Sequence, residues 1–339
     1  MRAQIGKPKA HKDPESAKGP VVAADGATIE QAKRPEEEGG KTATKKTSSK
    51  LLAIIFALVV LGCLTLSGCG GLGQNNGLLL ANIGWDENVA VSNLTKVLLE
   101  DELGYESVEI RTQDNLDATY RDVAKGEVDA FQDVWLPNQQ ALLDEVQGDV
   151  VHLDPWFLGK TKQGMAVPAY MEVKSIPQLN ETDAKYIWGI EPTSVMLQEV
   201  GQEVIPAYHL KQELVSAPTA GMLSEVERLY SFKEDFVFLA WSPHWMNQRF
   251  EIRYLKDPKD GMGPTNDPAK ISTIVRGDLR ERDPVAYAFM NALELTEEQI
   301  NDLESVINAE DDPLAGARRW SSQNREVVRP WIEAARRAQ

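Results

Sequence analysis

From residue 78 onward, the chain alternates short apolar runs with amphipathic stretches. The run LLLANIG at 78–84 predicts a strand, and the stretch after it predicts a helix that Asp86 caps and Gly104 ends. Further along, VEIRT predicts a strand, NLDATYRDVAKG a helix and VDAFQDVWL a strand, after which Pro137 opens another helix. This order of elements indicates an α/β architecture.

A second set of the same kind follows. KYIWGIE predicts a strand, Ser194 the start of a helix, ELVSAP a strand, 220–232 a helix and DFVFLAW a strand. The segment MEVKSIPQLN joins the two sets, and helices are predicted over 284–337, with TEEQ as a start signal. We therefore expect two lobes within 78–339: a first of about 78–172 plus about 272–339, and a second of about 173–271.

The N-terminal part has a different character. Basic residues at 45–50 precede the uncharged run LLAIIFALVVLGCLTLSGC, which predicts a signal peptide over 45–69. LSGC resembles a bacterial lipobox, so we expect Cys69 to be acylated and 70–77 to serve as a linker. An uncleaved signal anchor is the alternative. Residues 1–44 form a polar prefix whose composition is typical of disorder.

Composition narrows the classes of function. The formal net charge is −16, and an acidic surface repels nucleic-acid phosphates, so no nucleic-acid partner is expected. The only cysteines, Cys63 and Cys69, lie in the apolar N-terminal run, which leaves the body without a disulfide or a cysteine metal site. GxSxG, HExxH and GxxxxGK[ST] motifs are absent and the four histidines are scattered, so we predict no enzyme, cofactor or metal.

Three tryptophans occupy equivalent places. Trp85 in IGWDEN, Trp135 in DVWLPN and Trp241 in LAWSPHW each end an apolar run. Ligands of open α/β sheets bind at the carboxyl ends of the strands, so these rings are predicted to face one crevice. Indole faces suit a quaternary ammonium, which has no hydrogen to donate, and each contributes roughly 0.5–2 kcal/mol when desolvated.

A second group of residues concerns the other end of such a ligand. The strand, proline turn and helix of GIEPTSVMLQEV place the amides of Ser194 and Val195 at a helix start, where they can bind a carboxylate. His244 stands close to Trp241 in the sequence, where it either contacts the ligand or makes a structural hydrogen bond.

In combination, the motifs IGWDENVA, DVWLPN, GMAVPAY, YIWGIEP, WSPHWM and RYLKDP resemble the substrate-binding proteins of glycine betaine, proline betaine and choline ABC importers. The resemblance implies a two-lobed periplasmic-binding-protein fold (type II) that closes over its ligand by a hinge. It implies that the rings of Trp85, Trp135 and Trp241 form a box around the ammonium group. It also implies that the amides near Ser194 and Val195 bind the carboxylate.

Other positions of this resemblance concern selectivity. Glu87 stands where choline-preferring members place an acid, two residues after the first tryptophan. The chain departs from the betaine-binding pattern in two places: the turn PTSVM is one residue shorter, and Gln140 stands where betaine binders often have a histidine. An amide donates a hydrogen bond without the positive charge.

We therefore expect an exported, lipid-anchored protein that binds glycine betaine or a related solute and delivers it to an ABC permease and its ATPase subunit. Choline or carnitine is the alternative ligand of the same class. A sensory module that reports the solute to a receptor is the alternative from another class.

Overall fold

The strands of the computed structural model, which describes residues 77–339, form two five-stranded sheets. The predicted prefix, the signal peptide and Cys69 lie outside these residues. The strands are β1 (Leu78–Asn82), β2 (Val108–Thr112), β3 (Ala130–Leu136), β4 (Val150–His152), β5 (Lys162–Pro168), β6 (Tyr186–Trp188), β7 (Glu213–Val215), β8 (Val237–Ser242), β9 (Ile252–Tyr254) and β10 (Lys270–Arg276).

The two sheets have the same topology. The first has the order β2-β1-β3-β10-β4, and the second has the order β7-β6-β8-β5-β9. In each sheet three neighbouring strands are parallel, and the fourth strand runs antiparallel to its neighbours on both sides. Each sheet defines one lobe, and the predicted α/β two-lobed fold is confirmed.

Helices cover the sheets because their apolar faces pack on strands that are apolar on both sides. The buried core includes Leu80, Phe131 and Phe238, which are fully shielded from solvent. The α-helices are Asp86–Leu103, Leu116–Lys125, Gln140–Val146, Val195–Glu199, Ile205–Tyr208, Thr219–Phe232, Met246–Arg249, Leu279–Arg282, Pro284–Ala292, Glu297–Asn308, Pro313–Gln323 and Arg325–Arg336. A π-helical segment, Val200–Val204, lies between the fourth and the fifth.

Local signals set several of these bounds. The helix that begins at Asp86 ends at Gly104, which has a left-handed φ of 76° and whose amide donates to the carbonyl of Leu99, as the sequence predicts. Asp86 does not cap this helix: it is the first helical residue, and its carboxyl group accepts from Trp245 instead. Pro137 does not open the next helix. The amides of Gln139 and Gln140 donate to the carbonyls of Trp135 and Pro137, which makes a turn, and the helix begins at Gln140.

The boundary between the lobes differs from the expected one. β5 pairs with β8 and β9, so the first crossing from lobe to lobe lies between β4 and β5, before Lys162 and not near residue 172. The apolar run of β5 belongs to the second sheet because it fills the antiparallel position beside β8. The chain returns between β9 and β10, where the Thr161 hydroxyl donates to the Ala269 carbonyl (3.1 Å) and accepts from the Ala269 amide. The two crossing segments are thereby joined.

Candidate functional site

A narrow cavity lies between the lobes. Both lobes contribute to its wall, which is formed by Trp85, Glu87, Trp135, Asn138, Gln139, Gln163, Ile190, Ser194, Val195, Met196 and Trp241. The three predicted tryptophans therefore meet at one site.

The ends of three strands bring these tryptophans together. Trp85 follows β1 and is the residue immediately before the helix Asp86–Leu103, while Trp135 and Trp241 are the penultimate residues of β3 and β8. All three are buried, with 2–6% of their surface exposed. Each ring thus stands at the carboxyl end of a strand, with two contributed by the first lobe and one by the second.

Every one of these three indole N–H groups donates to the carboxyl group of an Asp or a Glu. Trp85 Nε1 donates to Glu191 Oε2 (2.8 Å), Trp135 Nε1 to Asp133 Oδ1 (2.8 Å) and Trp241 Nε1 to Glu87 Oε2 (2.9 Å). These bonds satisfy the only polar group of each ring. What the rings offer a ligand is therefore carbon surface and π-electron density. We call Trp85, Trp135 and Trp241 the tryptophan box.

Three carboxyl groups are buried behind the box. Glu87, Asp133 and Glu304 are each no more than 1% exposed. Burial raises the pKa of Glu87 well above its ordinary value, and the charges of Asp133 and Glu304 raise it further. Burial likewise raises the pKa of Asp133 and of Glu304. All three groups resist ionisation because burial removes water from the charged form, and for Glu87 and Glu304 the negative charges of neighbouring carboxyl groups add to this effect.

The predicted carboxylate-binding amides are only partly free. Ser194 and Val195 both line the cavity, but the Ser194 amide donates to the Glu191 carbonyl (3.0 Å). The amides of Val195 and Met196 stand in the first helical turn, where no preceding helical carbonyl can accept them. Both residues line the cavity. The amide donors available to a ligand are therefore those of Val195 and Met196.

Two predicted polar residues lie away from the cavity. Gln140 is exposed, and its side-chain amide donates to Asp144 Oδ1 (2.8 Å) one turn along the same helix. His244 is fully buried behind Trp241, with the two ring centroids 4.6 Å apart and nearly perpendicular. Its Nδ1 accepts from the Met246 amide (3.0 Å), and its Nε2 lies 3.2 Å from Asp86 Oδ2. His244 thus makes the structural hydrogen bonds of its turn.

Other polar groups of the wall escaped the sequence analysis. Gln139 is buried, and its Oε1 accepts from Tyr120 Oη (2.7 Å) and from the Trp135 amide (3.1 Å), which leaves its NH₂ group for the cavity. Asn138 Nδ2 donates across the cleft to Gln163 Oε1 (3.1 Å). The turn after Trp135 could have indicated this arrangement. Because the helix begins after this turn and not at Pro137, the side chain of Gln139 points inward and that of Gln140 outward.

Comparisons with known proteins agree with this geometry. A glycine betaine/carnitine transport binding protein of Listeria monocytogenes is 32% identical over 135 residues, which span 39% of this chain and 44% of that protein. The chain thus matches less than half the length of this curated relative. The crystal structure of lactococcal OpuAC, closed around glycine betaine, superposes with a TM-score of 0.68 at 27% identity and covers 76% of this chain and 99% of its own.

An ABC-transporter choline-binding protein in complex with choline has the same fold, with a TM-score of 0.69 at 23% identity over 79% of this chain and 99% of that chain. Fold and site together define the chain as a two-lobed substrate-binding protein. A family described as the substrate-binding domain of ABC-type glycine betaine transport systems matches residues 78–323. The chain belongs to this family.

Two negative findings concern residues 77–339 alone. None of the helices there is both long and apolar enough to cross a membrane. The same residues contain no group of three or more His, Cys, Asp or Glu side chains arranged to hold a metal ion.

Proposed function

We propose that this protein binds glycine betaine or a closely related quaternary-ammonium solute outside the cytoplasm and delivers it to an ABC permease. The observation that carries the proposal is the tryptophan box. Its three rings come from both lobes, their N–H groups are already engaged, and they line one cavity between the lobes. The family relationship supports the same class of ligand.

The cavity wall favours a cation that cannot form hydrogen bonds. A trimethylammonium group offers only polarised methyl groups, which are attracted to indole faces by roughly 0.5–2 kcal/mol per face. Among the described residues that line the cavity there is no Lys or Arg to repel such a group, and Glu87 adds a carboxyl. A primary amine would instead need three hydrogen-bond acceptors.

The opposite end of the ligand supports a betaine over choline. A carboxylate can accept from the amides of Val195 and Met196 and from the NH₂ group of Gln139, all at the cavity wall. The hydroxyl of choline would have Glu87 as acceptor, but Oε2 of that residue already accepts from Trp241. The cavity wall thus offers three hydrogen-bond donors to the carboxylate of a betaine, but only one partly occupied acceptor to the hydroxyl of choline.

Calorimetric titration with glycine betaine, proline betaine, choline and carnitine tests the proposal. The matched control is 3,3-dimethylbutanoate, which has the shape and the carboxylate of glycine betaine but a neutral carbon in place of the ammonium nitrogen. We expect glycine betaine to bind at least about tenfold more tightly than this control, a difference of about 1.4 kcal/mol. Equal binding of the two would overturn the role of the box.

Choline is the second candidate ligand, and the position of Glu87 favours it. This carboxyl lies at the wall of the cavity, beside a ring of the box, where it could balance the uncompensated charge of choline. The same titration decides between the candidates, because tighter binding of choline than of every betaine would assign Glu87 the leading role.

Export and anchoring are proposed from the sequence of the N-terminal part. We expect the prefix to be removed and Cys69 to carry lipid, which would hold the binding domain at the outer face of the membrane beside its permease. Metabolic labelling with a fatty acid, compared between wild type and Cys69→Ala, tests this step. Equal labelling of the two would contradict it. A requirement of solute uptake for this protein would distinguish transport from a purely sensory role.

A further inference from the structure

Two of the indole hydrogen bonds of the box join the lobes. Trp85 follows β1 of the first lobe and donates to Glu191, which follows β6 of the second lobe (2.8 Å). Trp241 belongs to β8 of the second lobe and donates to Glu87 in the first helix of the first lobe (2.9 Å). We call these the cross-cleft bonds. Each lobe thus supplies one indole donor and one carboxyl acceptor to the other.

The second lobe holds Glu191 in place by itself. Oε1 accepts from the backbone amide of Thr219 (2.8 Å), and Oε2 accepts from the Thr219 hydroxyl (2.9 Å). Thr219 is the first residue of the helix Thr219–Phe232, so the carboxylate occupies the positive end of the helix dipole. The acceptor for Trp85 is therefore oriented by its own lobe before the indole arrives.

The third bond of the box provides an internal contrast. Trp135 donates to Asp133, two residues earlier in β3, so this bond lies within one lobe. It can persist whether the cleft is open or closed. The Trp85–Glu191 bond requires the two lobes to be together, and a carboxylate on the indole N–H both fixes the rotation of the ring and polarises it.

From this arrangement we propose that Glu191 is a positioning residue that couples closure of the lobes to assembly of the box. The inference rests on the proposed function. Closing brings the Trp85 indole onto the preset carboxylate, which orients the ring toward the ligand and holds the lobes together. Ligand release then requires this bond to break. Glu191 itself need not touch the ligand, and it is absent from the cavity wall.

The test is a double-mutant cycle with Trp85→Phe and Glu191→Gln, measured by stopped-flow fluorescence with glycine betaine. Phenylalanine keeps an aromatic face and loses the N–H, while glutamine keeps the shape of Glu191 and loses its charge. We expect each change to raise the dissociation rate about tenfold and to alter the association rate by less than about threefold. The double variant should dissociate no faster than about twice the faster single variant, because both changes remove one bond.

The matched cycle uses Trp135→Phe and Asp133→Asn, which act within one lobe. Small-angle scattering at saturating glycine betaine supplies a readout that a merely structural role would not move. The Trp85 and Glu191 variants should retain more of the open, larger-radius form than wild type, while the Trp135 and Asp133 variants should close fully. Additive effects of Trp85→Phe and Glu191→Gln, or full closure of both variants, would overturn the coupling.

Fold and function are checked separately in the same experiment. Melting of the ligand-free proteins identifies any variant that has lost its fold. If wild type binds glycine betaine but the effects of Trp85→Phe and Glu191→Gln on the dissociation rate are additive, the coupling role of Glu191 is contradicted and the proposed function is not. Wild type that binds no quaternary ammonium would contradict the proposed function.

Discussion

The indole Nε1 of Trp241 lies 2.9 Å from Oε2 of Glu87, although the two residues belong to opposite lobes. Glu87 therefore lines the cavity and holds one ring of the box at the same time. Protonation of Glu87 weakens both its bond to Trp241 and its attraction for a cationic ligand, because a neutral carboxyl is a weaker acceptor and carries no negative charge.

Binding of choline should become tighter as the pH rises. Burial, followed by the charges of Asp133 and Glu304, raises the pKa of Glu87 well above its ordinary value of 4.5, so the free protein holds a proton there above that pH. A trimethylammonium group favours the ionised form, so the complex binds fewer protons than the free protein and affinity increases with pH. Calorimetry from pH 5 to 8 in buffers of different ionisation enthalpy should detect proton release.

The control for this effect is Glu87→Gln, which keeps an acceptor for Trp241 and removes the proton. Choline affinity of this variant should vary little between pH 5 and 8, and its binding should release no protons. An unchanged pH dependence in Glu87→Gln would place the titrating group elsewhere. Glycine betaine should show a weaker pH dependence than choline, because its carboxylate compensates its own charge.

Stability of the ligand-free protein should fall with rising pH through Glu304. Burial, followed by the charge of Asp86, raises the pKa of Glu304 well above the ordinary value of 4.5. The folded state then holds a proton that the unfolded state has released, so the free energy of unfolding decreases as the pH rises above about 4.5. In Glu304→Gln the melting temperature should fall less steeply over this range. Glu294→Gln, at an exposed loop position, should retain the wild-type slope.

Loss of any box ring should weaken ammonium binding. Trp85→Ala, Trp135→Ala and Trp241→Ala are each expected to raise the Kd for glycine betaine at least tenfold, about 1.4 kcal/mol. Trp320→Phe is the matched control, since Trp320 is equally buried but donates to Asp302 in the C-terminal helices. Normal calorimetric affinity in two of the three alanine variants would show that other groups bind the ammonium.

Selectivity should depend on Gln139 and not on its neighbour. Gln139→Glu keeps the acceptor for Tyr120 and Trp135 but replaces the free NH₂ group by a negative charge, which should weaken glycine betaine by more than tenfold and spare choline. Gln140→Glu changes an exposed side chain outside the cavity and should leave both affinities within about twofold. Equal effects of the two substitutions on betaine binding would exclude a carboxylate contact at Gln139.

Much of the fold could be predicted from local sequence patterns. The end of the helix Asp86–Leu103 could be predicted from Gly104, because capping is decided within one or two turns. The pairing of β10 with β3 could not be predicted, although residues from about 272 onward were placed in the first lobe, because β3 lies more than 130 residues earlier and nothing local records that pairing. The same limitation placed the lobe boundary too late, beyond β5.

Some features of the site could also be predicted from local patterns, while others depend on contacts between distant residues. Strand ends predicted that Trp85, Trp135 and Trp241 would converge, because parallel strands share one carboxyl edge. The acceptor of the Trp85 indole is 106 residues away, and a glutamate after a strand gives no sign of the ring it will meet. Whether Gln139 or Gln140 points into the cavity depends on the residue at which a short helix begins, and sequence patterns locate a helix start only within a few residues.

The hydrogen bonds between Thr161 and Ala269 have a consequence for how a ligand leaves. They fasten the two crossing segments to each other, so we expect the lobes to open by rotation about this point. Rotation about one axis widens the cleft at the rim farthest from the axis and moves the rings of opposite lobes apart in the same motion. We therefore expect the solute to leave through the mouth of the cleft at that rim.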